Sequence, residues 1–469
     1  MNRPSDKMKY IAVSLILLVA APLRAQTATQ WTLEECIRYA IEHNITLKQG
    51  EQAEEARRTD LNTSRHSWLP DLNAGVSQNF DFGRSPSKTG VIVDQNSANS
   101  SFSLQLNMPL FDGFRTANDI AARRLDLLAA TENLSKAKED LAVGVASYYL
   151  QVLYNKELLG IAELQASLTA EQVKKTESLV QAGKVPLSQL YDMKAQLARD
   201  EVSLVEARNN VSLALLDLAQ SLELERSGDF DIPVPVVPDV VEAYMTSIVP
   251  PDHIYDQAVA FKPQIKEQEY LLQSQQKTLK IAQSGYYPKL NLNASYSNGY
   301  YSYSGENAAS NTPFGDQLRQ NERKTIGNTP FGEQLKQNER KTIGLSLSIP
   351  IFNRFQVRNS VRSARINIRN RELMMENTKK ALYKEIQQAY YSATASQESY
   401  IASGKSVAAG KEAFTYAEER YGNGKSTVFE YGEAKTKYAR SLAEQTQAKY
   451  NFIFRAKILD FYKGMPIQL

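Results

Sequence analysis

The sequence predicts a mainly α-helical chain with a small membrane β component, built as two copies of one plan. Three observations carry this: long proline-free stretches, a constant repeat offset, and four amphipathic strands. No proline falls between Leu110 and Val185 or between Ile351 and Met465 in the 469 residues. An interior proline costs a helix about 3 kcal/mol, so these stretches are where long helices belong. At an offset of 241 residues, Met108-Pro109-Leu110-Phe111-Asp112-Gly113-Phe114 falls on Ile349-Pro350-Ile351-Phe352-Asn353-Arg354-Phe355, and Gly183-Lys184 on Gly424-Lys425. The offset brings heptads into line as well: Leu127, Leu134 and Leu141 meet Ile368, Met375 and Leu382, while Leu190 to Leu218 meets Tyr431 to Leu459. The chain is an internal duplication.

Residues 1–25 have a basic start (Arg3, Lys7, Lys9), an apolar run Ile11–Ala21, and Leu23-Arg24-Ala25 before Gln26, the pattern of a secretory signal cleaved after Ala25. Cys36 lies too far beyond that point to be a lipidated N-terminus. Past residue 25 no apolar run approaches the ~20 residues of a membrane-spanning helix. Of 55 Lys+Arg and 52 Asp+Glu, the signal holds four bases and one acid, leaving 51 of each in the mature chain. A neutral chain with a mean hydropathy of −0.43 argues against nucleic-acid binding.

Each half is expected to read helix, strand, strand, very long helix, tight turn, helix. The first repeat is placed at 26–222, the second at 253–463 with a 464–469 tail, and Pro233, Pro235, Pro238, Pro250 and Pro251 mark 223–252 as a linker. The long helices, about Thr116–Gln181 and Arg358–Tyr421, would each reach roughly 100 Å at 1.5 Å per residue. Helices of that length need lateral partners, and the sustained seven-residue spacing indicates coiled-coil packing. Leu127, Ala130, Leu134, Ala137, Leu141 and Gly144 alternate large and small, which suits close helix approach.

Four strands alternate apolar with strongly polar residues. Leu72, Val76 and Phe80 alternate with Asp71, Asn73, Ser77 and Asn79. Phe102, Leu104, Leu106 and Met108 alternate with Ser103, Gln105 and Asn107. Leu290, Leu292 and Tyr296 open the third strand, and Leu345, Leu347 and Ile349 alternate with Ser346 and Ser348 in the fourth. These apolar positions are expected to face lipid and the polar ones a wet interior, with aromatics such as Phe111, Phe114, Tyr286, Tyr287, Phe352 and Phe355 at the strand ends. Four strands cannot close a barrel, which needs at least ~8, so several chains must contribute; three would give twelve strands.

Asn311–Gly327 is repeated at once as Asn328–Gly344, with 15 of 17 positions identical. The repeat over 311–344 is assigned to an extracellular loop, because 17 extra residues inside a strand would invert its faces.

Further landmarks are Trp31-Thr32-Leu33-Glu34-Glu35, Trp68-Leu69-Pro70, Tyr287-Pro288, the two proline-aromatic strand exits, and Gly183 and Gly424 at the helix turns. In this order and doubled spacing, the mature chain resembles the TolC-like outer-membrane efflux and secretion ducts. The resemblance implies a homotrimer with a 12-stranded β-barrel in outer-membrane lipid and an α-barrel crossing the periplasm. It also implies docking to a periplasmic adaptor coupled to an inner-membrane pump of the resistance-nodulation-division or ABC type. By the same resemblance the adaptor meets the helix turns, here Gly183, Lys184, Val185, Pro186, Gly424, Lys425 and Ser426. By the same resemblance the periplasmic gate lies near this tip, with Lys405, Lys411, Glu412 and Arg420 as candidates; within Gly404–Glu412 lysines outnumber acids.

Chemistry is not expected. Cys36 is the single cysteine, and His43, His66 and His253 stand far apart, so the sequence offers no catalytic, metal or cofactor residues. The competing reading is a periplasmic adaptor with coiled-coil hairpins, which should lack the four strands.

Overall fold

A computed structural model describes residues 29–86, 92–94, 96–225, 230–234, 249–303 and 331–467. The signal segment, most of the Pro-rich linker and the first copy of the 17-residue repeat lie outside the described residues. The first half runs β1 (Thr29–Gln30), α1 (Leu33–His43), α2 (Ile45–His66), β2 (Asp71–Asp81), a short pair β3 (Arg84–Pro86) and β4 (Ile92–Asp94), β5 (Ser97–Phe111), α3 (Arg115–Gln181) and α4 (Leu187–Ser221). The second runs β6 (Phe230–Asp231), α5 (Pro251–Phe261), α6 (Pro263–Gln283), a 3-10 turn (Ser284–Tyr286), β7 (Lys289–Tyr303), α7 (Phe331–Gln337), β8 (Arg340–Ser348), α8 (Gln356–Gly422) and α9 (Val428–Tyr462).

The duplication extends to element lengths: α3 and α8 have 67 residues each, α4 and α9 have 35 each. Two expectations need correction. Each half starts with two helices rather than one, because Asn44 ends α1 and its side chain accepts from the Leu47 N–H at 3.1 Å to start α2, while Pro263 opens α6 directly after Lys262 caps α5. The stretch 223–252 is not only a linker: Phe230–Asp231 pairs in parallel with Thr29–Gln30, and Phe230 and Ile232 are buried.

The described residues form two compact units that cut across the repeats. One holds those up to Gly50, with Leu134–Lys262 and from Lys379 onward; the other holds Glu51–Asn133 and Pro263–Thr378. In the first, α1, α3, α4 and α9 bury Cys36, Tyr149, Leu153, Leu218, Phe452 and Ile453 in one core. The α1 entry is fixed by a capping box, Glu35 N–H to Thr32 Oγ1 at 3.3 Å and Thr32 N–H to Glu35 Oε2 at 2.9 Å. Close helix approach occurs at Gly50, where an added Cβ would lie 3.0 Å from Leu134; Gly144, expected to serve this purpose, faces open space.

A buried polar knot crosses this unit. The Lys435 ammonium of α9, 3% exposed, donates to Asp200 Oδ2 of α4 at 2.5 Å, to the Gln165 carbonyl of α3 at 2.9 Å, and to the Thr169 hydroxyl. Thr169 in turn donates to Asp200 Oδ2 at 2.5 Å, and Gln196 Nε2 donates to Asp200 Oδ1 at 2.9 Å. Three helices from both halves of the sequence thus share one buried ion pair.

The second unit contains the sheet, an antiparallel order β2-β5-β7-β8, with the paired helices held by Ser64 Oγ to Asp119 Oδ2 and Ser274 Oγ to Asp126 Oδ1, both 2.6 Å.

Candidate functional site

The register of the sheet sorts its side chains into two chemically opposite faces. On one, Leu72, Leu106, Ala294 and Ile343 form a row across all four strands. Adjacent rows are Met108-Leu292-Leu345, Ala74-Leu104-Tyr296, which ends on Lys341, and Val76-Phe102, which ends on Asn298, with Leu290 opposite Leu347. On the other face the rows are Asp71-Asn107-Asn293, Asn73-Gln105-Ser295-Thr342 and Gly75-Ser103-Ser297-Arg340. Every predicted lipid-facing residue inside a strand falls on the apolar face, and they are exposed or half-buried: Val76 is 75% accessible and Leu345 67%. Ile343, 81% accessible, belongs to this face and was not foreseen, because the preceding Arg-Lys-Thr hides the alternation.

Ile349 is a correction. β8 ends at Ser348, so Ile349 lies beyond the strand, because the following Pro350 restricts its backbone and cannot continue a ladder. Strand β5 also breaks register between Pro109 and Phe111, which leaves Leu110 bulged rather than in phase with Met108. The 17-residue repeat is not wholly loop: Phe331–Gln337 of its second copy is helical, and Arg340–Gly344 forms the first five residues of β8.

Among the described residues, β2 and β8 each pair on one side only. A sheet with apolar residues on one face, polar on the other and two open edges is incomplete in lipid, where unpaired backbone groups cost several kcal/mol each.

The strand exits repeat the duplication in backbone and rings. Gly113 and Phe114 have φ +72° and +65°, and their counterparts Arg354 and Phe355 have +53° and +60°. Phe111 meets Phe114 edge-on at 5.3 Å and Phe352 meets Phe355 at 5.5 Å, both with planes at 88°.

At the other predicted site, both helix turns are Schellman motifs. Gly183 and Gly424 sit at φ +68°. Lys184 N–H donates to the Leu179 carbonyl at 2.9 Å and Gly183 N–H to Val180 at 2.9 Å; Lys425 N–H donates to Arg420 at 2.8 Å and Gly424 N–H to Tyr421 at 3.0 Å. The turns differ in how the next helix begins. Pro186 precedes α4 with no side-chain cap, whereas Thr427, not Ser426, caps α9 by accepting from Glu430 N–H at 3.2 Å. Ser426 instead donates to Glu430 Oε2 at 2.6 Å, which is the largest effect holding the Glu430 carboxyl below its ordinary value. An added Cβ on either glycine meets nothing within 4 Å, so substitution there is penalised through the backbone alone. Gly183→Ala should therefore cost about 1–2 kcal/mol locally, seen as roughly 5–30-fold faster hydrogen exchange at the Gly183 and Lys184 amides.

The gate candidates Lys405, Lys411, Glu412 and Arg420 are all exposed on α8. Lys405 and Glu412 lie across the helix from Phe414, which packs on Tyr431 and Tyr438 of α9. Arg420 is engaged within the turn, donating to the Lys425 carbonyl at 3.2 Å and lying 3.8 Å from Glu430. Cys36 is fully buried, and burial pushes its thiol up to about 12, so no thiolate is available.

Residues 36–223 and 254–456 match the outer membrane efflux protein family. The chain is 22% identical to the outer membrane efflux protein BepC of Brucella suis over 296 residues, 62% of this chain and 60% of BepC. It is 24% identical to the outer membrane protein TolC of Escherichia coli over 426 residues, 87% of this chain and 77% of TolC. The Campylobacter jejuni CmeC outer membrane channel superposes with a TM-score of 0.71 at 18% identity, covering 93% of this chain and 86% of CmeC. With the doubled helix-strand plan matched over both halves, the chain belongs to the outer membrane efflux protein family and resides in the outer membrane.

Proposed function

We propose that the protein is the outer-membrane exit duct of a tripartite efflux or type I secretion system, conducting substrates passively. The two-faced, open-edged sheet carries this reading: three copies joined edge to edge, β8 to β2, close twelve strands with apolar rows toward lipid and Asn, Ser and Gln rows around water. The helices of three chains then form the periplasmic barrel. The turns at Gly183–Pro186 and Gly424–Ser426 seat a periplasmic adaptor, and an inner-membrane pump of the resistance-nodulation-division or ABC type supplies the cargo. Nothing in this role calls for a catalytic group, since transport is driven by the pump.

An open tube would leak, so the reading requires a gate, and Lys405, Lys411 and Glu412, exposed on α8, are the side chains we assign to intersubunit hydrogen bonds that a docked adaptor displaces. Full-length protein in planar bilayers should give discrete conductance steps, and Lys411→Ala with Glu412→Ala should raise them. A protein that forms no channel and is released soluble by osmotic shock would overturn the duct; unchanged conductance in the double variant would remove that pair from the gate.

A further inference from the structure

The second half carries a charge asymmetry that the duplication does not explain. Between Arg354 and Arg371 lie six arginines and no acid, whereas the aligned stretch Gly113–Ala130 has Arg115, Arg123 and Arg124 with Asp119 and Asp126. Arg358, Arg362 and Arg365 recur at i, i+4 and i+7, one face of α8, and line a cavity of about 740 Å³ closed on the other side by Gln283, Tyr286 and Tyr287. None of the three is ion-paired among the described residues, in contrast to Arg369, which pairs with Glu372 at 2.9 Å.

The tyrosines are held rigidly. A Cβ on Gly285 would lie 2.7 Å from Val357, and one on Gly113 would lie 2.8 Å from both the Ser284 carbonyl and Tyr287, so the 3-10 turn is packed between the starts of both long helices. The Arg358 guanidinium lies 5.7 Å from the Phe355 ring centroid, and none of the three has an anionic partner among the described residues; like charges on one helix face repel, which a multivalent anion relieves, and the guanidinium fork fits phosphate oxygens. Position identifies the anion's source. Lys289, where β7 starts, follows the two tyrosines by two residues, so the cavity sits where the apolar rows end. Ile351 and Phe352, in the strand exit a few residues before Arg358, are 95% and 72% exposed, as acyl-chain contacts at a membrane boundary would be.

We propose that this cavity binds the phosphate of an anionic glycerophospholipid headgroup at the membrane face where the helices begin. This rests on the strands lying in the membrane as the duct reading has them. The test is native mass spectrometry of full-length protein released from vesicles of equal phosphatidylglycerol and phosphatidylcholine, with excess inorganic phosphate as a separate arm. The wild type should retain phosphatidylglycerol preferentially. At about 1 kcal/mol per basic residue, R362Q should lower retention roughly 5-fold and R358Q/R362Q/R365Q about 100-fold, with R371Q unchanged. Equal retention in the triple variant overturns the site. Full displacement by inorganic phosphate without lipid preference assigns it to a soluble anion and overturns the lipid. Altered pore ion selectivity with unchanged lipid retention places the arginines in the channel and also overturns it. A wild type that fails to enter the vesicles at all overturns the duct reading, and this site with it.

Discussion

Replacing Lys435 with methionine should destabilise the helical unit by about 3–5 kcal/mol, because it leaves the Asp200 carboxylate buried without its cation. Asp200 keeps hydrogen bonds from Thr169 and Gln196, but neither neutralises it. Asp200→Leu in the Lys435→Met background should recover most of the loss, since exchanging a whole buried pair for apolar groups is often near neutral. Urea unfolding of the full-length protein followed by far-UV circular dichroism reads both variants. A loss below about 1 kcal/mol for Lys435→Met would mean the pair behaves as a solvated surface bridge.

The knot also predicts a pH dependence. Burial pushes the Lys435 ammonium below the ordinary lysine value of 10.5, with Asp200 opposing. Between that lowered value and 10.5 the unfolded chain binds more protons at this site than the folded one. Raising pH through the window therefore adds stability from this group, and lowering pH through the folded value removes it. The Lys435→Met variant should lack that increment.

The second large effect is on the sheet. Leu106→Arg places a charge in the row Leu72-Leu106-Ala294-Ile343, which the duct reading turns toward lipid, and one arginine facing lipid costs up to about 2–4 kcal/mol at the bilayer midplane. Gln105→Arg, one residue earlier on the same strand, points to the polar face beside Asn73 and Ser295 and should be tolerated. The yield of heat-modifiable, SDS-resistant oligomer in outer-membrane fractions measures the difference. Equal yields for the two variants would show that neither face of β5 meets lipid.

Much of this architecture was legible because it depends on period and punctuation. The long helices were expected at Thr116–Gln181 and Arg358–Tyr421 and occur at Arg115–Gln181 and Gln356–Gly422, since prolines and turn glycines bound them. The sheet rows follow from alternation through the middle of each strand, which a proline ends at Leu110 and Ile349 and which polar residues interrupt toward the other end, at Gln78, Ser100, Asn298 and Lys341. The split of the first helix rests on Asn44 alone in the first half, which leaves the pattern undisturbed, whereas in the second half Pro263 after Lys262 was a readable break. The Lys435 knot joins positions 31 to 270 residues apart, and no spacing encodes that; the one available signal was a lysine four residues after Tyr431 in an otherwise buried stripe. At the turns, glycine signalled the left-handed backbone, whereas Ser426 and Thr427 are equivalent on paper and only the hydrogen bond to Glu430 N–H separates them.

The fourth strand draws its first five residues, Arg340-Lys341-Thr342-Ile343-Gly344, from the end of the second 17-residue copy, and the first copy ends in the identical Arg323-Lys324-Thr325-Ile326-Gly327. Whichever copy is lost by unequal recombination, or however many are gained, the unit next to Leu345 supplies the same pentapeptide and every strand pairing is preserved. On the duct reading this repeat lies outside the cell, so a change in copy number would alter the length of that loop while the register of the sheet stays constant.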